Sequence, residues 1–251
     1  MSDFYVGYLP KSPAAIARHT RLVVVVLLLL AGAAATLFAL TQHTLAPVGF
    51  EFGKERTIEG IVETTPYPAL RVVRPGAVHD QSAYSYYPLV APGKHGADLL
   101  VAGLQGKVVR LRGTLIYREN QTMVEVVPGS ITTVSADNRQ ASSRQLLGSF
   151  TLSGEIVDSK CNFGVMNPGQ GKVHKDCAVR CLSGGIPPAF VTNDFQGHSA
   201  TLLLTGPGLT ALPKAVFWAY VARPVQLRGN VFKDGDELLF EVEPGSLSVL
   251  P

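Results

Sequence analysis

Residues 107–134, "KVVRLRGTLIYRENQTMVEVVPGSITTV", align without a gap to residues 223–250, "RPVQLRGNVFKDGDELLFEVEPGSLSVL", at an offset of 116 positions. Leu-Arg-Gly recurs at 111–113 and 227–229, and Glu-Val-x-Pro-Gly-Ser at 125–130 and 241–246. Upstream, "LVAPG" (89–93) answers "LTGPG" (204–208), and "EGIVE" (59–63) answers "GEIVD" (154–158). Matches in several separated pieces mark a duplicated unit. Both copies alternate apolar and polar residues, as in "KVVRLRGTLIY" and "TMVEVV", which is the period of a half-buried strand. "KDGDE" (233–237) is a hairpin turn between "VQLRGNVF" and "LLFEVE".

Working outward, the chain reads as mainly β. The expectation is two tandem OB-like small β-barrels at 51–134 and 148–251, joined by a polar linker at 135–147 around "SADNRQASSRQ". A β-sandwich is the alternative. Short helices are expected at 95–104 and 209–218, ahead of the terminal hairpins. The copies differ in length: Ile61 to Pro92 is 31 residues, whereas Ile156 to Pro207 is 51. The second copy thus carries about 20 extra residues, an insertion within 158–188 that holds all three cysteines. This suggests a structural first domain and a specialised second one.

"LVVVVLLLLAGAAATLFAL" (22–40) is 19 residues without a charge, and about 20 such residues cross a bilayer core. Lys11, Arg18 and Arg21 precede it against one acid, Asp3. The positive-inside rule makes 1–21 a cytoplasmic leader, 22–40 a single transmembrane helix, and the bulk of the chain periplasmic, on an inner (cytoplasmic) membrane. The small residues at 31–35 also fit a signal-peptide cleavage site, and on that reading the bulk is still extracytoplasmic. A net charge of +3 with scattered basic residues excludes the dense basic face that nucleic acid requires.

"GKVHKDCAVRC" (171–181) holds the chemistry. On a helix from about Val173 to Ser183, His174, Cys177 and Cys181 project within about 60° of one another. "SGG" follows to end that helix. Cys161 lies in a turn-rich loop, "DSKCNFGVMNPGQG", able to fold over this face. Two neighbouring cysteines one helical turn apart are poorly placed to bridge, so any disulfide would join Cys161 to Cys177 or Cys181. Closing that loop is worth about 3 kcal/mol in the chain-entropy model. The other reading takes Cys161, His174, Cys177 and Cys181 as metal ligands, with Met166 as a soft outer one. Thiolates and thioethers favour copper as Cu(I), or zinc. A redox-active thiol pair, Cys177 and Cys181, is the third. No Ser-His-Asp order, P-loop or dinucleotide fingerprint stands at a credible spacing, so no catalytic set is visible and an enzyme is not expected.

Gly154, Val157, Asp158 and Cys161, followed by His174, Cys177, Ala178, Cys181, Gly185 and Pro187, form G-x-[IV]-V-D-x-x-C…H-x-x-C-A-x-x-C-x-x-x-G-x-P. This resembles an element carried on an OB-like domain by a group of secreted or membrane-anchored bacterial proteins. The resemblance implies that these residues act as one unit. C-x₃-C near a His and a Met is also similar to copper-handling proteins, although here the His precedes the cysteines. One anchor plus an OB barrel resembles the periplasmic haem chaperone of cytochrome c maturation; that family's H-x-x-x-Y element is missing, since His79 and Tyr84 are one residue too far apart.

Elsewhere, "HDQSAYSYYP" (79–88) reads as strand residues or a partner-binding face, and "FYVGYLP" (4–10) as an aromatic leader at the membrane interface. Together these features point to a membrane-anchored accessory protein. It would bind copper, or zinc, and assist assembly of, or metal delivery to, a membrane redox or respiratory complex. A disulfide-stapled structural subunit without metal and a thiol oxidoreductase are the alternatives.

Overall fold

A computed structural model describes residues 11–41, 48–74, 84–135 and 144–250. The aromatic leader at 4–10, residues 79–83 of the tyrosine stretch and residues 136–143 of the expected linker lie outside them. The chain divides into two compact units, residues 1–45 and 46–251.

In the first unit, helix α1 (Ala14–Thr41) runs 28 residues, begins before the expected span and ends one residue after it. Its most apolar window has a mean hydropathy of 2.8 and none of that window is buried against protein. Length and composition suffice to cross a membrane, as they do for a signal sequence. The hydroxyls of Thr36 and Thr41 bond back to the Gly32 and Leu37 carbonyls at 2.8 and 2.9 Å, so they add no bare polar group to the apolar surface.

The second unit is built from strands. In the first copy these are β1 (Arg56–Glu63), β2 (Ala69–Val73), β3 (Tyr84–Ala91), β4 (Val108–Arg118) and β5 (Gln121–Val126). They pair in the order β1-β2-β3-β5-β4 and back to β1, with β3–β5 parallel and every other pair antiparallel. The sheet closes on itself as a five-stranded barrel. The second copy, β6 (Gln145–Asp158), β7 (Pro188–Phe195), β8 (His198–Gly206), β9 (Pro224–Asp234) and β10 (Glu237–Val242), pairs in the equivalent ring. Its parallel pair is again the third strand with the fifth, Leu203 opposite Leu239.

The repeated motifs have physical jobs in this ring. Gly113 pairs with Arg56 on one side and with Val126 on the other, where β4 passes from one neighbour to the next. A Cβ there would lie 2.3 Å from Val124 Cγ1, and one at the equivalent Gly229 would lie 2.1 Å from the Glu241 carbonyl oxygen. Only glycine allows so close an approach. The arginine and serine of the two motifs are coupled. Arg112 N–H donates to Ser130 Oγ at 3.1 Å, and Arg228 N–H to Ser246 Oγ at 3.2 Å.

Each ring has its own apolar interior. Val62, Leu70, Leu89, Leu111 and Val124 fill the first; Ile156, Phe190, Leu202, Leu227 and Phe240 fill the second. A third cluster crosses between them: Ala69 and Tyr86 of the first copy pack with Val157, Ala189, Leu203 and Leu239 of the second. Polar bonds line the same seam. Tyr84 Oη donates to Asp234 Oδ1 at 2.7 Å, the Tyr86 N–H to Asp236 Oδ1 at 2.8 Å, and Tyr67 Oη to the Leu204 carbonyl at 2.7 Å. The two copies therefore pack on one another within one compact unit, in which the "KDGDE" turn docks on β3. The end of the expected linker is already strand, because β6 starts at Gln145. Tyr84 and Tyr86 are strand residues, as one of the two readings has it, and they face the other copy.

The helix expected at 95–104 is absent. His95–Gly96 is a short strand, and the following segment turns with Leu100 N bonded to Ala97 O at 2.9 Å and Leu104 N to Val101 O at 3.0 Å. Gly103 and Gly106, at φ 72° and 73°, interrupt any continuous helix. At 209–218 a single α turn, Lys214–Phe217, leads into a 3-10 turn, Trp218–Tyr220.

Candidate metal centre

The insertion leaves β6 at Asp158 and returns to β7 at Pro188. Cys161 opens a π-helical turn, Cys161–Val165; a 3-10 turn, Lys172–His174, then runs into helix α2 (Lys175–Ser183). The helix lies where the sequence places it. It has two buried sides: Ala178 and Leu182 enter the second ring's core, whereas Cys181 joins a cluster with Cys161, Phe163 and Ile186. That cluster packs on Val90, Ile116 and Met123, which point out of the first ring. The sulfurs therefore sit on the seam between the two copies.

All three cysteines are free thiols. Cys161 Sγ lies 3.8 Å from Cys177 Sγ and 4.0 Å from Cys181 Sγ. The three sulfurs fall within 4.8 Å of one another. Cys161 and Cys181 are buried; Cys177 is partly exposed.

Asp158 organises the approach. Its Oδ1 accepts the Cys161 N–H at 2.8 Å, and its Oδ2 lies 2.9 Å from His174 Nε2. Both residues are buried, Asp158 completely. In the repeat, Asp158 stands where the first copy has Glu63, which pairs with Arg71. The second copy has thus turned a structural acid–base pair into a support for its cysteine turn.

The four ligands expected from the sequence are brought together in two adjoining groups that share one residue. Cys161, Cys177 and Cys181 form one group, and Asp158, Cys161 and His174 the other. His174 is thus beside the sulfurs, with Nε2 committed to the aspartate. Met166, the soft outer ligand expected from the sequence, is 44% exposed, and its backbone N–H bonds to the Cys161 carbonyl.

The residue that sequence reasoning missed is Lys94. Its Nζ is 2.8 Å from Cys177 Sγ and 3.6 Å from Cys181 Sγ. It comes from the first copy, on the turn between β3 and the Gly96 bridge. That turn is tied to the insertion by the Gly96 N–H bond to Gly184 O at 3.0 Å. Lys160, beside Cys161, donates to the Ala91 and Gly93 carbonyls at 2.9 and 2.6 Å and pairs with Glu125. Repeat comparison offers no hint of this, because the copies diverge just after Gly93 and Gly208.

The electrostatics separate the buried thiols. Cys181 accepts a hydrogen bond from Cys161 and feels the Lys94 ammonium, and the two together bring it down to about 7 despite burial. Cys161 is pushed far up, because it is the donor to Cys181, is buried, and faces the Asp158 carboxylate. The hydrogen bond that Lys94 donates to Cys177, together with the neighbouring sulfurs, in turn raises Lys94, which stays an ammonium.

A metal about 2.3 Å from each sulfur would set the sulfurs about 4.0 Å apart in a trigonal plane and about 3.8 Å apart in a tetrahedron. The two separations from Cys161 fall in that range, and Cys177 and Cys181 lie within 4.8 Å of each other. Three thiolates carry three negative charges, and a cation at their centre removes the repulsion that otherwise keeps protons on them. The donor set fits a soft cation. Set against family models, curated proteins and solved structures, the chain matches none.

Proposed function

We propose that this protein is a membrane-anchored, extracytoplasmic metal-binding accessory protein whose three thiolates hold Cu(I). The observation that carries the reading is the convergence of Cys161, Cys177 and Cys181 at 3.8 and 4.0 Å on a seam that two halves of the chain build together. Copper is favoured over zinc by coordination number. Structural zinc takes four ligands, and among the described residues no fourth Cys, His or carboxylate joins the three sulfurs as one group. Cu(I) accepts three sulfurs.

The two rings are read as OB-like barrels on their strand order, with the third and fifth strands parallel. Helix α1 is read as the anchor, with Lys11, Arg18 and Arg21 on the cytoplasmic side. The partner is then a membrane redox or respiratory complex that needs copper delivered or inserted on the outer face. A partly exposed Cys177 suits transfer, since an incoming donor can displace one thiolate at a time.

The test is metal analysis of the full chain, purified reduced under anaerobic conditions and titrated with Cu(I) against a chromophoric competitor. One equivalent bound, with three sulfurs at about 2.3 Å by X-ray absorption, is the expected result. Each Cys→Ser change should weaken binding at least tenfold, since one of three ligands is lost. No stoichiometric metal, with Cys161 found in a disulfide, would leave a stapled structural module instead.

A further inference from the structure

The shortest contact to any of the three sulfurs is made by an amine. Lys94 Nζ stands 2.8 Å from Cys177 Sγ, a separation ordinary for an oxygen acceptor and short for the larger sulfur atom. Lys94 reaches this position from a turn that is itself held in place. Gly184 sits so close under it that a Cβ would meet the Lys94 carbonyl oxygen at 1.8 Å. Cys177 is also the only one of the three thiols with access to solvent. An oxidant therefore meets this sulfur first, with an amine beside it.

We propose that Lys94 and Cys177 are a modification site, joined on oxidation by a single oxygen atom into a reversible S–O–N link. The reaction is Cys177–SH + Lys94–NH2 + O2 → Cys177–S–O–NH–Lys94 + H2O. The S–H bond and one N–H bond break, and S–O and O–N bonds form. Dioxygen accepts four electrons; one of its oxygens stays in the link and the other leaves as water with the two hydrogens. Starting from the thiolate–ammonium pair changes nothing in the balance, since that pair has the same atoms. Hydrogen peroxide serves as oxidant at two equivalents, releasing three waters, with a sulfenic acid on the way.

Geometry favours this link over a disulfide. A disulfide brings two sulfurs to about 2.05 Å, so Cys161 and Cys177 would have to close by about 1.8 Å from their 3.8 Å. Cys161 is packed against Phe163, Val90, Ile116 and Met123, and close-packed interiors resist such shifts. The bent bridge needs almost no movement, because its two ends already stand at its span. Cys181, at 3.6 Å from the same amine and buried, is the less favoured partner.

The link goes beyond the metal reading and stands without it. Once formed it takes the Cys177 thiolate out of use, so metal binding and the link exclude each other.

The experiment is intact mass spectrometry of the full chain in detergent, metal-free, denatured without reductant after exposure to air or to hydrogen peroxide. A gain of about 14 Da, one oxygen less two hydrogens, is expected, and dithiothreitol should remove it. Digestion should give a cross-linked pair holding Lys94 and Cys177. Lys94→Arg, which keeps the charge, should lose the 14 Da form, while Cys181→Ser should keep it. The proposal is overturned if the wild type only loses about 2 Da as a disulfide, or gains about 16 or 32 Da on Cys177 with Lys94 unmodified. Survival of the 14 Da form in Cys177→Ser overturns it too. Failure here leaves Cu(I) titration of the reduced protein untouched, so the two readings fall separately.

Discussion

At the scale of single residues, Asp158 has more consequence than any thiol for whether the site exists before a ligand arrives. Its two oxygens hold the Cys161 backbone and the His174 ring, all buried. Asp158→Ala strands both groups without water, and each buried unpaired group costs about 1–3 kcal/mol. We expect a loss of about 3 kcal/mol in denaturant unfolding of the full chain. Because the two residues share one bond, His174→Ala in the Asp158→Ala background should cost clearly less than it does alone. Additive losses would mean that the pair does not act as a unit. This residue was legible in part. In the sequence it stands out only as the aspartate of the G-x-[IV]-V-D-x-x-C element. The histidine stands beside the sulfurs as its helical spacing has it, and that spacing says nothing of which ring atom is already bonded to Asp158.

Among the elements, the insertion and the 91–96 turn hold each other in place. Gly184→Ala would put its Cβ 1.8 Å from the Lys94 carbonyl oxygen, and two backbones, unlike a flexible side chain, cannot yield cheaply. We expect it to break the Gly96–Gly184 bond and to cost about 1–3 kcal/mol, read as a lowered thermal midpoint. An unchanged midpoint would mean that this turn is loosely held. Strands were readable because alternation has a period of two that survives duplication. The helix at 95–104 was misread because apolar Ala97 and Val101 are spaced as on a helix, yet are buried by consecutive turns. "LIY" and "MVEVV" are apolar on both strand faces, and Ile116 and Met123 are buried because the insertion covers the outer face of the first ring. Lys94 carried no signal at all: its partner lies 83 residues away.

For the molecule as a whole, the seam carries carboxyls that burial pushes above their ordinary range. Glu237 is fully buried, takes a hydrogen bond from Gln121, and is pushed well above its ordinary 4.5 by burial and by Asp236. Glu63, on the other side, is raised by burial as well. An acid whose native value is raised stabilises the fold fully below its unfolded value, and that contribution is lost as pH rises through the native one. Stability should therefore fall from about pH 4.5 upward, by at most about 1.4 kcal/mol per pH unit for one such group. Glu237→Gln should flatten that slope in unfolding curves taken across the range; an unaltered slope would show that Glu237 is ionised in the native state. The duplication was plain in the sequence, and the shared interior of the copies was not, since contacts such as Tyr84 to Asp234 join residues 150 positions apart.

Lys94 stands at a pocket whose sulfurs all come from the other copy. The pocket certifies its own maker: a half-made or sheared chain presents loose thiols instead of a finished receptor. Two separately produced halves should bring Lys94 against the sulfurs only after they find each other, because the amine lies in one half and all three thiols in the other.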